Sequence, residues 1–256
     1  MWKGIRIALL LLVLLAVVLH TWLDRVATQS WHEPLWVGLF PLNGDGSAAT
    51  DAYLGTLQAH DFTALEDFFR HEASRYGLGL DEPVHVELYP QGSTLPPALE
   101  SGAGPLGIAW WSLKLRWYAA HASKVAGRAP PRVRLFLLYH DPQNLPRAPD
   151  SHGLQKGLVG VVHLFADAGM AAQNNIVIAH ELLHTVGATD KYDLGSGAPL
   201  FPSGYADRDQ DPLYPQQRAE IMAGRRPLSA YQWQMPHSLA AVVLGPETAR
   251  EIRWTH

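Results

Sequence analysis

The run His180-Glu181-Leu182-Leu183-His184-Thr185-Val186-Gly187-Ala188-Thr189-Asp190 constrains this chain more than any other stretch. It reads H-E-x-x-H-x-x-G-x-x-D. Residues four apart on an α-helix share one face, so His180 and His184 present two imidazoles to the same point. Two neutral imidazoles so placed hold a zinc ion at about 2.0–2.1 Å each. Glu181 is turned about 100° round the helix from His180 and stands beside the metal rather than on it. From there its carboxylate can take a proton from a water held by the zinc. Glycine enters left-handed backbone without penalty, so Gly187 can end the helix and turn the chain. That turn brings Asp190 back as a third ligand. Asp193, three residues on, is the alternative third ligand, an outer partner of a ligating histidine, or a solvated loop carboxylate. Three protein ligands with one open position are the arrangement of a catalytic zinc. Met170 to Val186 holds no Pro or Gly and carries Ile176, Ile178, Leu182, Leu183 and Val186, as a largely buried helix should. Asn174 or Asn175 would cap it if it starts late.

The segment resembles the zinc-binding helix of metzincin-type metallopeptidases, whose extended motif is H-E-x-x-H-x-x-G-x-x-H/D. The resemblance implies that His180, His184 and Asp190 are zinc ligands and that Glu181 is the general base. The usual third ligand in that family is His, and an Asp there is similar to the snapalysin-like branch. The family also carries a methionine turn below the metal. Glu220-Ile221-Met222-Ala223-Gly224 reads like one, with Met222 as its methionine. The resemblance implies an α/β (α+β), zincin-like fold: a twisted mixed sheet backed by helices, the active-site helix, and a small irregular C-terminal lobe.

The absence of cysteine removes thiolate ligands and disulfides. A formal net charge of -4 without any Lys/Arg cluster argues against a nucleic-acid partner. Lys3 and Arg6 precede an apolar run from Ile7 to Leu19, weakly prolonged to Leu23. Residues 1–29 are therefore expected to be an uncleaved membrane anchor or, alternatively, a cleaved signal segment. Either reading places the catalytic domain, residues 30–256, outside the cytoplasm, in the periplasm or extracellular space.

Within that domain the N-lobe is expected over about 30–187 and the C-lobe over about 188–256. Strands are expected at Leu35–Leu42, Pro83–Tyr89, Val133–Tyr139 and Leu158–Phe165. Thr50 to Tyr76 reads as one or two helices, and Leu106 to Val125 as another. Alternation of strands and helices argues for α/β independently of the resemblance. After Thr189 the chain is rich in Gly, Pro and Asp, with short helices expected near 238–244 and 246–254. Asp207, Asp209 and Asp211 alternate in one loop but lack the Gly and Glu of a calcium loop, so a solvated turn is the simpler reading. Tyr192, Tyr205, Tyr214 and Tyr231 are candidates to polarise a scissile carbonyl. His140, His152 and His163 stay unassigned.

These features lead to the expectation of a zinc-dependent endopeptidase acting on peptides or proteins. The alternatives are a zinc-stabilised binding module without turnover and a zinc hydrolase of non-peptide amides or esters.

Overall fold

A computed structural model of the protein describes residue 6 and residues 29–99, 102–124, 129–145, 149, 151–154 and 158–255, with 152–154 described as backbone only. At its centre is a sheet of five strands: β1 (Leu35–Asn43), β2 (Val84–Leu88), β3 (Val133–His140), β4 (His152–Leu154) and β5 (Val159–Phe165). Their order is β2-β1-β3-β5-β4. The first four in that order are parallel, and β4 runs antiparallel to β5 at the edge. The helices are α1 (Ala48–Leu54), α2 (Thr63–Arg75), α3 (Pro105–Ala122), α4 (Ala171–Thr185) and α5 (Pro246–Glu251). The mixed α/β class expected from the sequence is therefore observed.

The near-continuous apolar runs of β1, β3 and β5 follow from burial of both sheet faces. Val37, Leu39, Leu135, Leu137, Val162 and Leu164 point to one side, into a core shared with α2 and α4. Phe40, Leu42, Phe136, Leu138, Val159 and Val161 point to the other, against Trp111, Leu115 and Ala119 of α3. The larger core runs on into Ile221, Met222, Val242, Ile252 and Trp254, so residues on both sides of the 187/188 boundary pack together.

The stretch from Thr50 to Tyr76, read as one or two helices, is two, broken at Gly55 and bridged by a 3-10 turn at Ala59–Phe62. Other local expectations change. Neither Asn174 nor Asn175 caps α4, which starts at Ala171 after a 3-10 turn led by Asp167. Both are instead buried polar anchors. Asn174 exchanges hydrogen bonds with the Phe165 backbone (2.8 and 3.2 Å), and Asn175 donates to Asp61 O (2.9 Å), locking α4 to the end of β5 and to the turn before α2. The region expected to be a short helix at 238–244 is a 3-10 turn followed by strand β7 (Val242–Val243), which pairs with β6 (Ala219–Glu220).

The expectation of a single-pass membrane protein is corrected. Among the described residues no helix is long and apolar enough to cross a membrane. The longest, α3, has 18 residues. It is interrupted by Lys114 and Arg116, whereas a span needs about 20 predominantly apolar residues. The apolar run Ile7–Leu23 lies outside the described residues.

Candidate metal centre

Helix α4 lies on the sheet against β5 and β4, and it carries His180, Glu181 and His184 on its last two turns. Leu182 and Leu183 are buried, which fixes the rotation of the helix and turns the histidines to one side. The helix stops at Val186, and Gly187 follows with φ 109°, in the region that favours glycine. Val186, Gly187 and Ala188 donate to the last carbonyls of the helix, at Leu183 and His184, and close the turn.

The turn returns Asp190 to the histidines. Its Oδ1 lies 3.1 Å from His180 Nε2 and 3.2 Å from His184 Nε2, and the two Nε2 atoms are 3.0 Å apart. Three donors on a tetrahedral ion with bonds of about 2.0 Å would stand about 3.3 Å apart, so this near-equilateral triangle has the size of one tetrahedral face. A carboxylate oxygen of the buried Glu181 lies within 4.8 Å of the imidazole nitrogens. Among the described residues, His180, Glu181 and His184 form the only group of three or more such side chains placed to hold a metal ion.

The hydrogen bonds around the triangle set the tautomers. His180 Nδ1 lies 3.0 Å from Ile221 O, and His184 Nδ1 lies 2.9 Å from Ala188 O. A carbonyl only accepts, so each neutral ring carries its proton on Nδ1 and turns the Nε2 lone pair inward. Asp190 Oδ1 is buried and accepts no hydrogen bond of good geometry. Three lone pairs therefore converge on one point, which is unfavourable unless a cation sits there. In the metal-free site a proton takes that part. Burial works against charge on His180, but Asp190 and Glu181 outweigh it and raise its pKa to about 9. Burial likewise opposes charge on Asp190, yet the two histidines hold its carboxyl well below the usual range. The donor set of two imidazoles and one carboxylate with an open side fits zinc, and His180, His184 and Asp190 would hold it.

Residues Glu220–Gly224 form a tight turn under this site, with Gly224 N donating to Glu220 O (3.0 Å). Met222 is fully buried in it, and Ile221 supplies the carbonyl that orients His180. Asp193 stands apart from the cluster. It is exposed, and its Oδ1 accepts from Ser196 N (2.8 Å) and Ser196 Oγ (2.7 Å), which makes it a turn former. Of the tyrosines, Tyr192 has its ring 6.4 Å from that of His180. Tyr205 and Tyr214 share a 2.8 Å hydrogen bond, and Tyr231 is exposed. In the Asp207–Asp211 loop, Asp207 Oδ1 accepts from Asp209 N (3.1 Å), a local turn. His140 and His163 pair with each other at 2.9 Å, on the sheet face that packs against α3.

Sequence reasoning missed the carbonyls of Ile221 and Ala188, because backbone atoms carry no residue signal. It also missed Lys191, whose buried ammonium bonds Glu251 some 60 residues away. No local pattern marks that pair.

Together the fold and the cluster define an α/β protein whose helix-borne His-Glu-His group is compatible with a zincin motif and with a zinc hydrolase. No family model matches the chain, and no curated protein matches it either.

Proposed function

We propose that the protein is a zinc metallopeptidase of the metzincin type, with His180, His184 and Asp190 as ligands and Glu181 as general base. The observation that carries this reading is the triangle of His180 Nε2, His184 Nε2 and Asp190 Oδ1, with sides of 3.0, 3.1 and 3.2 Å. When bound, zinc supplies a Lewis acid that lowers the pKa of a coordinated water to about 7 and polarises a carbonyl. Glu181 takes the proton as water attacks the peptide carbonyl and passes it to the leaving amine. Ile221 and Ala188 keep both imidazoles in the ligating tautomer. The buried turn carrying Met222 floors the site, as the family resemblance implies.

Peptide rather than small-molecule substrate is supported by the sheet edge. β5 is paired on both sides, so the free edge near the site is β4, which packs beside α4. An extended peptide adding to β4 would gain main-chain hydrogen bonds beside the helix that carries His180 and His184.

Glu181→Gln tests the reading. Gln nearly matches Glu in size but accepts no proton at neutral pH. The variant keeps its zinc and its melting temperature, and its cleavage of a peptide library falls by about 10²–10⁴-fold. Cleavage within about threefold of wild type would remove Glu181 from the mechanism. A zinc-loaded wild type that cleaves no peptide would favour a binding module or a hydrolase of other amides and esters.

A further inference from the structure

The segment that follows Gly187 has no helix or long strand to hold it, yet Asp190 must sit within about half an ångström of its ligating position. Both of its neighbours are fastened to one carboxylate. Thr189 N donates to Glu251 Oε2 (2.9 Å) and Thr189 Oγ1 to Glu251 Oε1 (2.6 Å). Lys191 Nζ donates to both oxygens of Glu251 at 2.7 Å, and to Thr189 O and Oγ1 at 3.0 and 2.9 Å. Lys191 is buried, and a buried ammonium is tolerated only when paired, so this contact is held firmly. The backbone of Lys191 is fixed as well. Its N–H donates to Met222 O (3.0 Å), and its carbonyl accepts from Leu200 N (2.8 Å).

Glu251 ends α5, and α5 is itself anchored. Gly245 N and Thr248 Oγ1, at its start, donate to the buried Glu220 of the turn beneath the site. Ala249 and Ile252 are fully buried in the main core. One short C-terminal helix therefore grips the Met222 turn at its first residues and the Asp190 segment at its last.

We propose that Glu251 is a positioning residue for the metal: by clamping Thr189 and Lys191 it sets the carboxylate of Asp190 on the imidazole pair. This rests on the reading of Asp190 as third ligand. The two claims separate experimentally on the full chain, with zinc affinity measured by chelator competition and ligand geometry read from the visible spectrum of the cobalt(II)-substituted protein.

Asp190→Ala should weaken zinc by more than about 100-fold, as loss of a direct ligand exceeds loss of an outer partner. Glu251→Gln should weaken zinc by about 10–100-fold and change the cobalt bands. Thr189→Val, which removes one hydroxyl from the clamp, should shift both readouts the same way by less. Glu251→Gln with zinc affinity within about threefold of wild type and an unchanged cobalt spectrum overturns the clamp, provided Asp190→Ala loses zinc. If Asp190→Ala binds as wild type does, the ligand reading fails and the clamp with it. Should Glu251→Gln prove less stable, the cobalt spectrum of the folded protein at low temperature decides, and unchanged bands count against the proposal.

Discussion

Replacing Glu220 by Ala should destabilise the metal-free protein by about 2–4 kcal/mol, from one buried amide left without its acceptor and the packing lost with the side chain. Glu220 is completely buried. Its Oε2 accepts from Ala223 N (2.9 Å), and its Oε1 accepts from Gly245 N (3.1 Å) and Thr248 Oγ1 (2.7 Å). Burial raises the pKa of its carboxyl, and these donors pull it back. Hydrogen bonds to a charged group are worth about 1.5–3 kcal/mol each, but desolvating the carboxylate consumes much of that sum. The variant sheds that cost along with the gain, so the net loss comes from what the side chain leaves behind. The Gly245 amide is left in a dry pocket at about 1–3 kcal/mol, while Ala223 N keeps its 3.2 Å bond to Glu220 O and the Thr248 hydroxyl can rotate to another acceptor. In a domain of this size each kcal/mol moves the melting temperature by about 2–4 °C, so a drop on the order of 10 °C is expected. Denaturant unfolding of the metal-free protein, followed by tryptophan fluorescence, measures the loss directly. The Glu220–Gly224 turn also carries Ile221, whose carbonyl orients His180, so zinc affinity should fall alongside stability. A loss below about 1 kcal/mol would refute the view that this carboxylate ties the turn to α5.

Two further outcomes are expected. Gly187→Ala should cost about 1–3 kcal/mol, because its φ of 109° strains any side-chain-bearing residue, and it should weaken zinc by displacing Asp190; unchanged melting and affinity would count against the turn. Asp45 supplies an acid dependence. Burial opposes its charge, but the amides of Asp141 and Ser47 outweigh that and lower its pKa to about 2. A depressed carboxyl contributes stability above its unfolded pKa of about 3.9, and that contribution disappears as pH falls through about 2. Asp45→Asn should therefore narrow the gap between stability at pH 5 and at pH 2, and an unaltered pH profile would exclude it.

How much was legible in the sequence depended on how local each cause was. β1, β3 and β5 were readable as apolar runs because both their faces are buried. Helix α4 and its stop at Gly187 were readable because a helical repeat and a left-handed glycine both act within one or two turns. β4 escaped, since three residues form a strand there only because β5 offers its edge. The two-residue strands β6 and β7 escaped for the same reason: their pairing spans more than twenty residues. Asn174 and Asn175 looked like caps, but tertiary partners at Phe165 and Asp61 outweighed the local preference. At the metal centre, side-chain types and spacing announced His180, Glu181 and His184. The machinery that orients them, including Ile221 O, Lys191 and Glu251, was invisible because it is assembled from backbone atoms and distant carboxylates.

The most direct test of the central claim is metal analysis of the purified protein and of His184→Ala, after equilibration with zinc and removal of excess. One equivalent of zinc per chain is expected in the wild type. Most of it should be lost from the variant, because only one imidazole and one carboxylate would remain of the triangle. A full equivalent retained by His184→Ala, or no zinc in the wild type, would contradict the site.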